Sequence, residues 1–415
     1  MSKTIAYFSN LFPPVATGSA TQSFGLAREM AAQGHRVIVI TPHLDKKTPK
    51  IEEINGFHVY RIPCFHLPKM QIALNFPWLN STFSIPNMFR IKNILETEKV
   101  DLVHVHNHMF DLALIASLVK FWLRIPFVVT IHTMIKHANP LFNGILYPLD
   151  RFFLKFFVIS RADGIVSPDV NMDRYMRERF DRQDSKIIPY GISLPTYPGE
   201  QVEKEIVEKF NLQGKRVILS LGHLHSLRNR MDLIKGLALI KDQFPDLKLV
   251  VVGGVMDQRP VQLVKELGLQ NHVVFTGPQP HSVVPVFHKL AEIEAMWLDQ
   301  DKNDLNSLGI ACMEGMLAGK PVMAVANEST FGPGVLKNGQ NVIILKSGNP
   351  QHVAEKITEI FTDPAKGQAI GQGAQQIATK YFAWNGVAEQ HESLYANIIA
   401  RYAVVRQDDK VLERA

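Results

Sequence analysis

The chain has 415 residues, enough for two domains at roughly 100–200 residues each. With 46% hydrophobic and 20% charged residues it has the composition of a soluble globular protein with a sizeable core, which excludes a disordered chain. The net charge of +6 comes from the first half: residues 1–200 hold 22 Lys and Arg against 16 Asp and Glu, and the remainder holds 23 of each. Such an excess could face anionic lipid, nucleic acid or a phosphorylated substrate, although a solvated face with counterions is the ordinary reading.

In chain order, Thr4–Phe8 reads as a short buried strand and Leu11–Gly18 as a loop with Pro13, Pro14 and Gly18. Thr21–Gln33 has helical periodicity through Phe24, Leu26, Met30 and Ala31, Gly34 ends it, and Arg36–Ile40 is the next strand. Leu102–Val105 and Phe127–Ile131 read as strands around a helix near Leu112–Leu123. A second series begins after Pro189-Tyr190-Gly191, with strands at Arg216–Leu221, Leu247–Val252, Val273–Thr276, Pro321–Val325 and Val342–Leu345. Helices near Asp232–Gln243, Val261–Leu267, Val283–Lys289, Gly309–Leu317 and Gln351–Phe361 alternate with them. Continuous Val/Ile strands between helices predict parallel sheets covered on both faces, so the fold class is α/β with two doubly wound domains. The expected boundaries are 1–195 and 196–383, with a last helix at about 384–405 crossing back onto the first domain. Ligands of such sheets bind outside the carboxyl ends of the strands, and two such domains make a cleft.

Cys64 and Cys312 are too few and too far apart for a disulfide framework, which fits a reducing cytoplasm. Thr4–Phe8 is too short for a secretory signal, and no stretch approaches the ~18 apolar residues of a membrane span.

Three segments carry candidate chemistry. The loop Phe12–Ala20 contains Gly18, where backbone N–H groups at a helix start could approach an anion. In Gly222-His223-Leu224-His225-Ser226-Leu227-Arg228-Asn229-Arg230, Gly222 allows close approach of a ligand. His223, Arg228 and Arg230 of that segment place donors or cations at a strand's carboxyl end, where a diphosphate could sit. In Asp304–Val322, Asn306 and Ser307 suit a helix N-cap, and the N–H groups of Leu308, Gly309 and Ile310 could face a phosphate. Glu314 follows on a helix lined by Ile, Ala, Cys and Met; a carboxylate there needs a partner, either sugar hydroxyls or a salt bridge.

His104, His106 and His108 alternate, so as a strand they would share one face and could bind a metal. Asp101 and Asp111 stand at odd offsets and would point away, so no metal centre is expected. The aromatic and basic block Tyr147–Phe157 and the apolar Ile72–Phe89, with Pro77 and Trp78, could touch a membrane or a lipid acceptor; core packing plus an acceptor-site lid is the ordinary reading.

In this order and spacing the chain resembles the family 4 retaining glycosyltransferases, with their B-type fold of two facing Rossmann-like domains. The resemblance rests on Gly34-His35, Val103-His104-Val105-His106, Thr130-Ile131-His132-Thr133 and Ile188-Pro189-Tyr190-Gly191-Ile192. It continues through Val251-Val252-Gly253-Gly254, Phe275-Thr276-Gly277 and Glu314–Val322. It implies that Glu314 holds the donor's ribose hydroxyls and that the amides of Leu308, Gly309 and Ile310 meet the diphosphate or the sugar. It further implies that His132 lies near the donor sugar and that Gly18 belongs to a loop closing over the phosphates. His223 stands where the family has Arg, Arg228 where it has Lys, and Asn306 where it has the first Glu of its Glu-x7-Glu motif. Arg228 keeps its charge, His223 would be charged only if the diphosphate holds its pKa up, and Asn306 can bond a sugar hydroxyl but carries no charge. Glu292 and Glu294 are candidates for a substitute carboxylate.

The implied activity is transfer of a hexose from a nucleotide sugar to a lipid-linked or saccharide acceptor, in the cytoplasm or peripherally at the membrane's inner face. His132, His223 and Arg228 would serve the reaction, with no metal, no cofactor and no nucleic-acid partner. A front-face displacement assisted by the donor phosphate, with cations and helix amides stabilising the leaving diphosphate, is the implied mechanism, and domain closure would exclude water. Two readings stay open beside it: a non-catalytic sugar-nucleotide-binding protein and a B-type sugar-nucleotide epimerase.

Overall fold

The computed structural model describes residues 2–15, 17–66, 80–135, 140–224, 230–296 and 308–412. It divides into two compact units, Met1–Gly191 with Trp384–Ala415, and Ile192–Ala383.

The first unit begins with β1 (Thr4–Ser9), α1 (Gly18–Ala32), β2 (Arg36–Pro42), the hairpin of β3 (Ile51–Ile54) and β4 (Phe57–Ile62), and the short pair β5 (Phe65–His66) and β6 (Asn80–Ser81). It continues with α2 (Ile85–Thr97), β7 (Leu102–His106), α3 (Asp111–Leu123), β8 (Phe127–Thr130) and α4 (Pro140–Pro148). A π-helical turn, Leu149–Leu154, leads into α5 (Lys155–Phe157), then β9 (Gly164–Ser167), α6 (Val170–Phe180) and β10 (Ser185–Ile187). The sheet order is β10-β9-β8-β7-β1-β2-β4-β3, parallel except for β3. Alternate side chains of its strands enter two cores. Ala6, Phe8, Ile38, Ile40, Val103 and Val105 face one side, packed with Ile91 of α2 and Ile115 of α3. Ile5, Tyr7, Val37 and Val39 face the other, packed with Leu26 and Met30 of α1.

The second unit comprises α7 (Glu200–Lys209), β11 (Arg216–Leu221), α8 (Met231–Ile240), β12 (Leu247–Val252), α9 (Arg259–Glu266), β13 (Val273–Gly277), α10 (Val284–Leu290) and β14 (Ala291–Met296). After them come α11 (Ile310–Leu317), β15 (Val322–Ala324), β16 (Ile343–Ile344), α12 (Pro350–Thr362) and α13 (Pro364–Tyr381). Its six parallel strands run β13-β12-β11-β14-β15-β16. Ile218, Leu249, Val251 and Ile293 pack under α8 and α12, and Val217, Leu219 and Val250 pack under α10.

The last helix, α14 (Trp384–Leu412), belongs to the first unit and adds Trp384, Val387, Tyr395 and Ile398 to the α1-side core. Trp384 is wedged between α1 and the Gly191 turn: a Cβ on Gly25 would lie 2.1 Å from the indole and one on Gly191 2.2 Å. No Cβ fits at such a separation, so both positions require glycine. Cys64 and Cys312 are both free thiols, in different units. No helix among the described residues is long and apolar enough to cross a membrane.

Candidate functional site

Each unit gathers polar side chains at the carboxyl ends of its strands. In the second unit the chain leaves β11 at Gly222, whose φ of 108° is open to glycine. Here it meets the turn after β12: the Gly222 N–H donates to Val252 O (2.8 Å) and the Leu224 N–H to Gly254 O (2.9 Å). A Cβ on Gly253 (φ 144°) would lie 2.6 Å from the Gly222 carbonyl, so the two loops touch backbone to backbone.

The Gly254 N–H donates to His223 Nδ1 at 2.8 Å. That bond occupies Nδ1 as an acceptor and leaves Nε2 as the nitrogen that can donate, one of the two roles the sequence left open for His223. Arg230 is fully buried and turns inward. Its guanidinium donates to Ser220 Oγ (3.0 Å) and to the carbonyls of Leu221 (3.0 Å), Gly222 (3.1 Å) and His223 (3.2 Å). The expected exposed cation at Arg230 is therefore corrected: it is the clamp that shapes the loop. Arg228 lies outside the described residues, as does Asn306.

At α11, Leu308 is buried, Gly309 is the N-cap and Ile310 opens the helix with its side chain exposed. The first turn of any helix has N–H groups without intrahelical partners, which is what an anion meets. Glu314 follows one turn later, mostly buried, with Oε1 3.3 Å from Nε2 of the exposed His281. His281 went unnoticed in the sequence; its signal is weak, a histidine after Gly277-Pro278-Gln279-Pro280.

The two carboxylates considered as substitutes for Asn306 are each paired with a side chain of their own unit. Glu292 pairs with Arg216 (2.6 Å), the first residue of β11, at the amino end of the sheet. Glu294 is buried, 3.1 Å from His288 Nδ1, and lies so close under α11 that a Cβ on Gly315 would stand 2.0 Å from it. Burial pushes the Glu294 carboxyl up, and the neighbouring His288 opposes that.

In the first unit, Thr17 caps α1, its Oγ1 accepting from the Ala20 N–H at 3.2 Å. A Cβ on Gly18 would meet nothing within 4 Å, so packing does not demand glycine there. His132 stands just beyond β8, its ring nearly coplanar with that of His106 (centroids 5.3 Å apart, planes 18° apart) and nearly parallel to that of Tyr190 (5.6 Å, 9°). Its Nε2 lies 3.0 Å from His106 Nδ1 and its Nδ1 3.3 Å from Tyr190 Oη. Burial, then the nearby His391, hold its pKa down to about 4, so the ring is neutral at physiological pH.

Beside it, His104 bonds Tyr395 Oη (2.5 Å) through Nδ1 and Thr130 Oγ1 (2.7 Å) through Nε2, and Tyr7 Oη lies 3.3 Å from Tyr395 Oη. Burial pushes His104 and His106 well below the usual histidine range. The expected alternation of three histidines is corrected. His104 and His106 stack (4.6 Å), but the strand ends at His106 and Asn107 has a φ of 82°. His108 then enters the opposite core, 3.4 Å from the buried Asp150, which also accepts from the Tyr175 hydroxyl and pairs with Arg179 (3.4 Å). Among the described residues no cluster of His, Cys, Asp or Glu could hold a metal.

A broader hollow lined by Tyr60, Phe89, Arg90 and Glu98 lies elsewhere: Glu98 pairs with Arg36, the first residue of β2, at the amino end of the sheet. Of the apolar Ile72–Phe89 stretch, residues 72–79 lie outside the described residues, whereas Phe83, Ile85 and Phe89 are exposed.

Two mostly parallel sheets with glycine turns and a helix start at the carboxyl ends of their strands are the layout in which doubly wound folds bind ligands. The family model described as Glycosyltransferase Family 4 matches residues 16–195, and that described as Glycosyl transferases group 1 matches residues 202–377. An uncharacterized glycosyltransferase of Methanocaldococcus jannaschii is 24% identical over 398 residues, 92% of this chain and 95% of the relative. The alpha-monoglucosyldiacylglycerol synthase of Streptococcus pneumoniae is 23% identical over 332 residues, 78% of this chain and 71% of the relative. The crystal structure of Anabaena Alr3699/HepE in complex with UDP superimposes with a TM-score of 0.66 at 18% identity, covering 95% of this chain and all of that one. The chain belongs to the family 4 glycosyltransferases of the B-type fold.

Proposed function

We propose that the protein transfers a hexose from a nucleotide-sugar donor, with retention at the anomeric carbon and without a metal, to a lipid-linked or saccharide acceptor. The observation that carries this reading is the start of α11, where the N-terminal end of the helix, without a side-chain cap, stands one turn from a Glu314 carboxylate whose partner among the described residues is an exposed histidine. Such a pair suits a diphosphate beside ribose hydroxyls, because the exposed His281 yields to a ligand at little cost.

In this reading Glu314 holds the ribose, and the amides of Leu308, Gly309 and Ile310 with Arg228 receive the diphosphate. His223 donates from Nε2 to the same group, Asn306 meets the sugar, and Gly18 and His132 serve from the first unit. The exposed Leu141, Tyr147, Phe152 and Phe156, beside Arg151 and Lys155 that share Asp181, support delivery of the acceptor at a membrane surface. The protein would then work in the cytoplasm, peripherally on the membrane. The name of the pneumococcal relative, a glucosyl-lipid synthase, supports a lipid acceptor.

The test is a panel of UDP-, GDP- and ADP-hexoses with lipid and saccharide acceptors, scored for nucleoside diphosphate release and product anomer by NMR, with and without EDTA. Transfer with retention, unaffected by EDTA, is expected. Binding without turnover of any donor would mean a non-catalytic binding protein, and epimerised donor without acceptor would mean an epimerase; either result sinks the proposal. Glu314→Ala is expected to weaken binding of the active donor about 10- to 100-fold, the worth of hydrogen bonds to a charged group. Its melting temperature should barely move, since the lost contact is with an exposed side chain. Unchanged affinity removes Glu314 from the site.

Gly254→Ala probes His223. The new Cβ would lie 2.9 Å from His223 Nδ1, closer than packed atoms come, so the imidazole must swing away. Donor affinity is expected to fall several-fold with the fold intact. Calorimetric titration with the nucleoside diphosphate of the donor found active in the panel that gives a wild-type constant would show that His223 takes no part.

A further inference from the structure

The deepest polar arrangement outside the second unit's loops is the pair of stacked imidazoles beside His132. We propose that His106 is the positioning residue of His132, fixing its tautomer and ring plane through an in-plane hydrogen bond so that one nitrogen alone is offered to the sugar. This rests on the reading that His132 faces the donor sugar.

The geometry distinguishes the two neighbours of His132. His106 is the last residue of β7, 4% exposed, stacked on His104 and in tilted contact with Tyr7, and therefore immobile. Its bond to His132 Nε2 is 3.0 Å long. Tyr190 comes from a loop, and its contact with His132 Nδ1 is longer, 3.3 Å. An incoming hydroxyl would displace the longer contact from the partly exposed ring and leave the shorter one in place.

Both rings are neutral because both are held in low dielectric. One proton must then lie between His106 Nδ1 and His132 Nε2, and its owner decides whether His132 Nδ1 accepts or donates. His106 Nε2 has no hydrogen-bond partner among the described residues and borders a cavity of about 20 Å³, room for one water, lined also by Gln22, Tyr190 and His391. A water there would complete the His106 ring and set the tautomer of both imidazoles. His106 thus acts on the sugar only through His132.

The test uses nitrogen-15-labelled full-length protein, whose imidazole spectra report each ring's tautomer without any ligand. Wild type should show His132 as a single neutral tautomer. His106→Asn, whose amide stands where Nδ1 stood, should keep that signature. His106→Gln and His106→Leu should give a tautomer mixture, because neither places a polar atom there. A single unchanged tautomer in His106→Leu, or retention in Gln with loss in Asn, overturns the proposal. Rates with the donor found active in the panel add a second arm. His106→Leu is expected to lower kcat about 10- to 100-fold with little change in KM, and His106→Asn to recover most of it. In a His132→Ala background His106→Leu should cost nothing further, since the two act as one. If His132→Ala itself leaves turnover intact, the placement of His132 at the sugar fails, while the tautomer result stands on its own.

Discussion

Arg230→Met is expected to destabilise the second unit by about 3 kcal/mol and to abolish measurable donor binding. The side chain is fully buried, and its fork donates to three consecutive carbonyls, Leu221, Gly222 and His223, besides Ser220 Oγ. Methionine keeps the apolar bulk but orphans those carbonyls at roughly 1–3 kcal/mol each. The gain from no longer burying a charge offsets part of that. The three carbonyls belong to the turn that carries Gly222 and His223, so relaxing them disperses the loop before any ligand arrives. Arg230→Lys keeps the charge and loses the planar fork, so it should recover less than half of the stability. Urea denaturation with titration of the nucleoside diphosphate of the donor found active in the panel reads both effects. A methionine variant within 1 kcal/mol of wild type, binding that nucleoside diphosphate normally, would mean the clamp is dispensable.

Acid is expected to unfold the first unit well above the carboxylate range. His132 and His391 have pKa values held down to about 4, and His104 and His106 lie well below the usual value, burial being the first cause in each. The unfolded chain takes up these protons near pH 6.5. Below that pH the unfolded state binds more protons than the folded one, so stability falls as pH falls. The loss continues down to about pH 4 for His132 and His391. It amounts to about 1.4 kcal/mol per pH unit for each histidine, or about 2 kcal/mol each by pH 5, against a total stability of about 5–15 kcal/mol. The buried Glu294 of the second unit works in the opposite direction. Its carboxyl is raised, so the folded second unit holds the extra proton and gains stability as pH falls through the folded value towards the ordinary one.

Calorimetry between pH 7.5 and 4.5 should therefore show one transition dropping steeply below pH 6.5 while the other holds. His391→Asn preserves a donor toward Val387 O, which His391 Nδ1 now supplies at 2.9 Å, and should make the fall shallower by one proton. A stability profile flat from pH 7 to 5 would show that these imidazoles are not held neutral.

The doubly wound architecture was legible because strands such as Ile5–Phe8 and Leu249–Val252 are buried on both faces and read as continuous apolar runs. The central strand β14 was not, for a physical reason. Its sequence, Ala291-Glu292-Ile293-Glu294-Ala295-Met296, alternates with carboxylates. Only tertiary partners, Arg216 for Glu292 and His288 for Glu294, let those carboxylates into a sheet. The β3–β4 hairpin was missed because its strands are short and β3 carries Glu52 and Glu53, and α13 because Gly, Ala and Gln leave it few large apolar residues to mark a face. In the candidate site, the glycines and Glu314 can be picked out from residue type and position. The inward turn of Arg230, the Nδ1 bond of His223 and the His281 partner depend on residues distant in sequence, which spacing alone cannot bring together.

The wedge of Trp384 between Gly25 and Gly191 has a consequence for biosynthesis. The first unit is the first to be translated and the last to be completed, because α14 emerges only after residues 192–383 have been made. Until then the face of α1 and β1 that receives Trp384, Val387, Tyr395 and Ile398 stays open, an apolar groove awaiting its own chain. The second unit, contiguous in the chain, is free to fold while its predecessor waits. A ribosome that stops short of codon 384 would release a protein with one finished half and one sticky half, a substrate for chaperones rather than an enzyme.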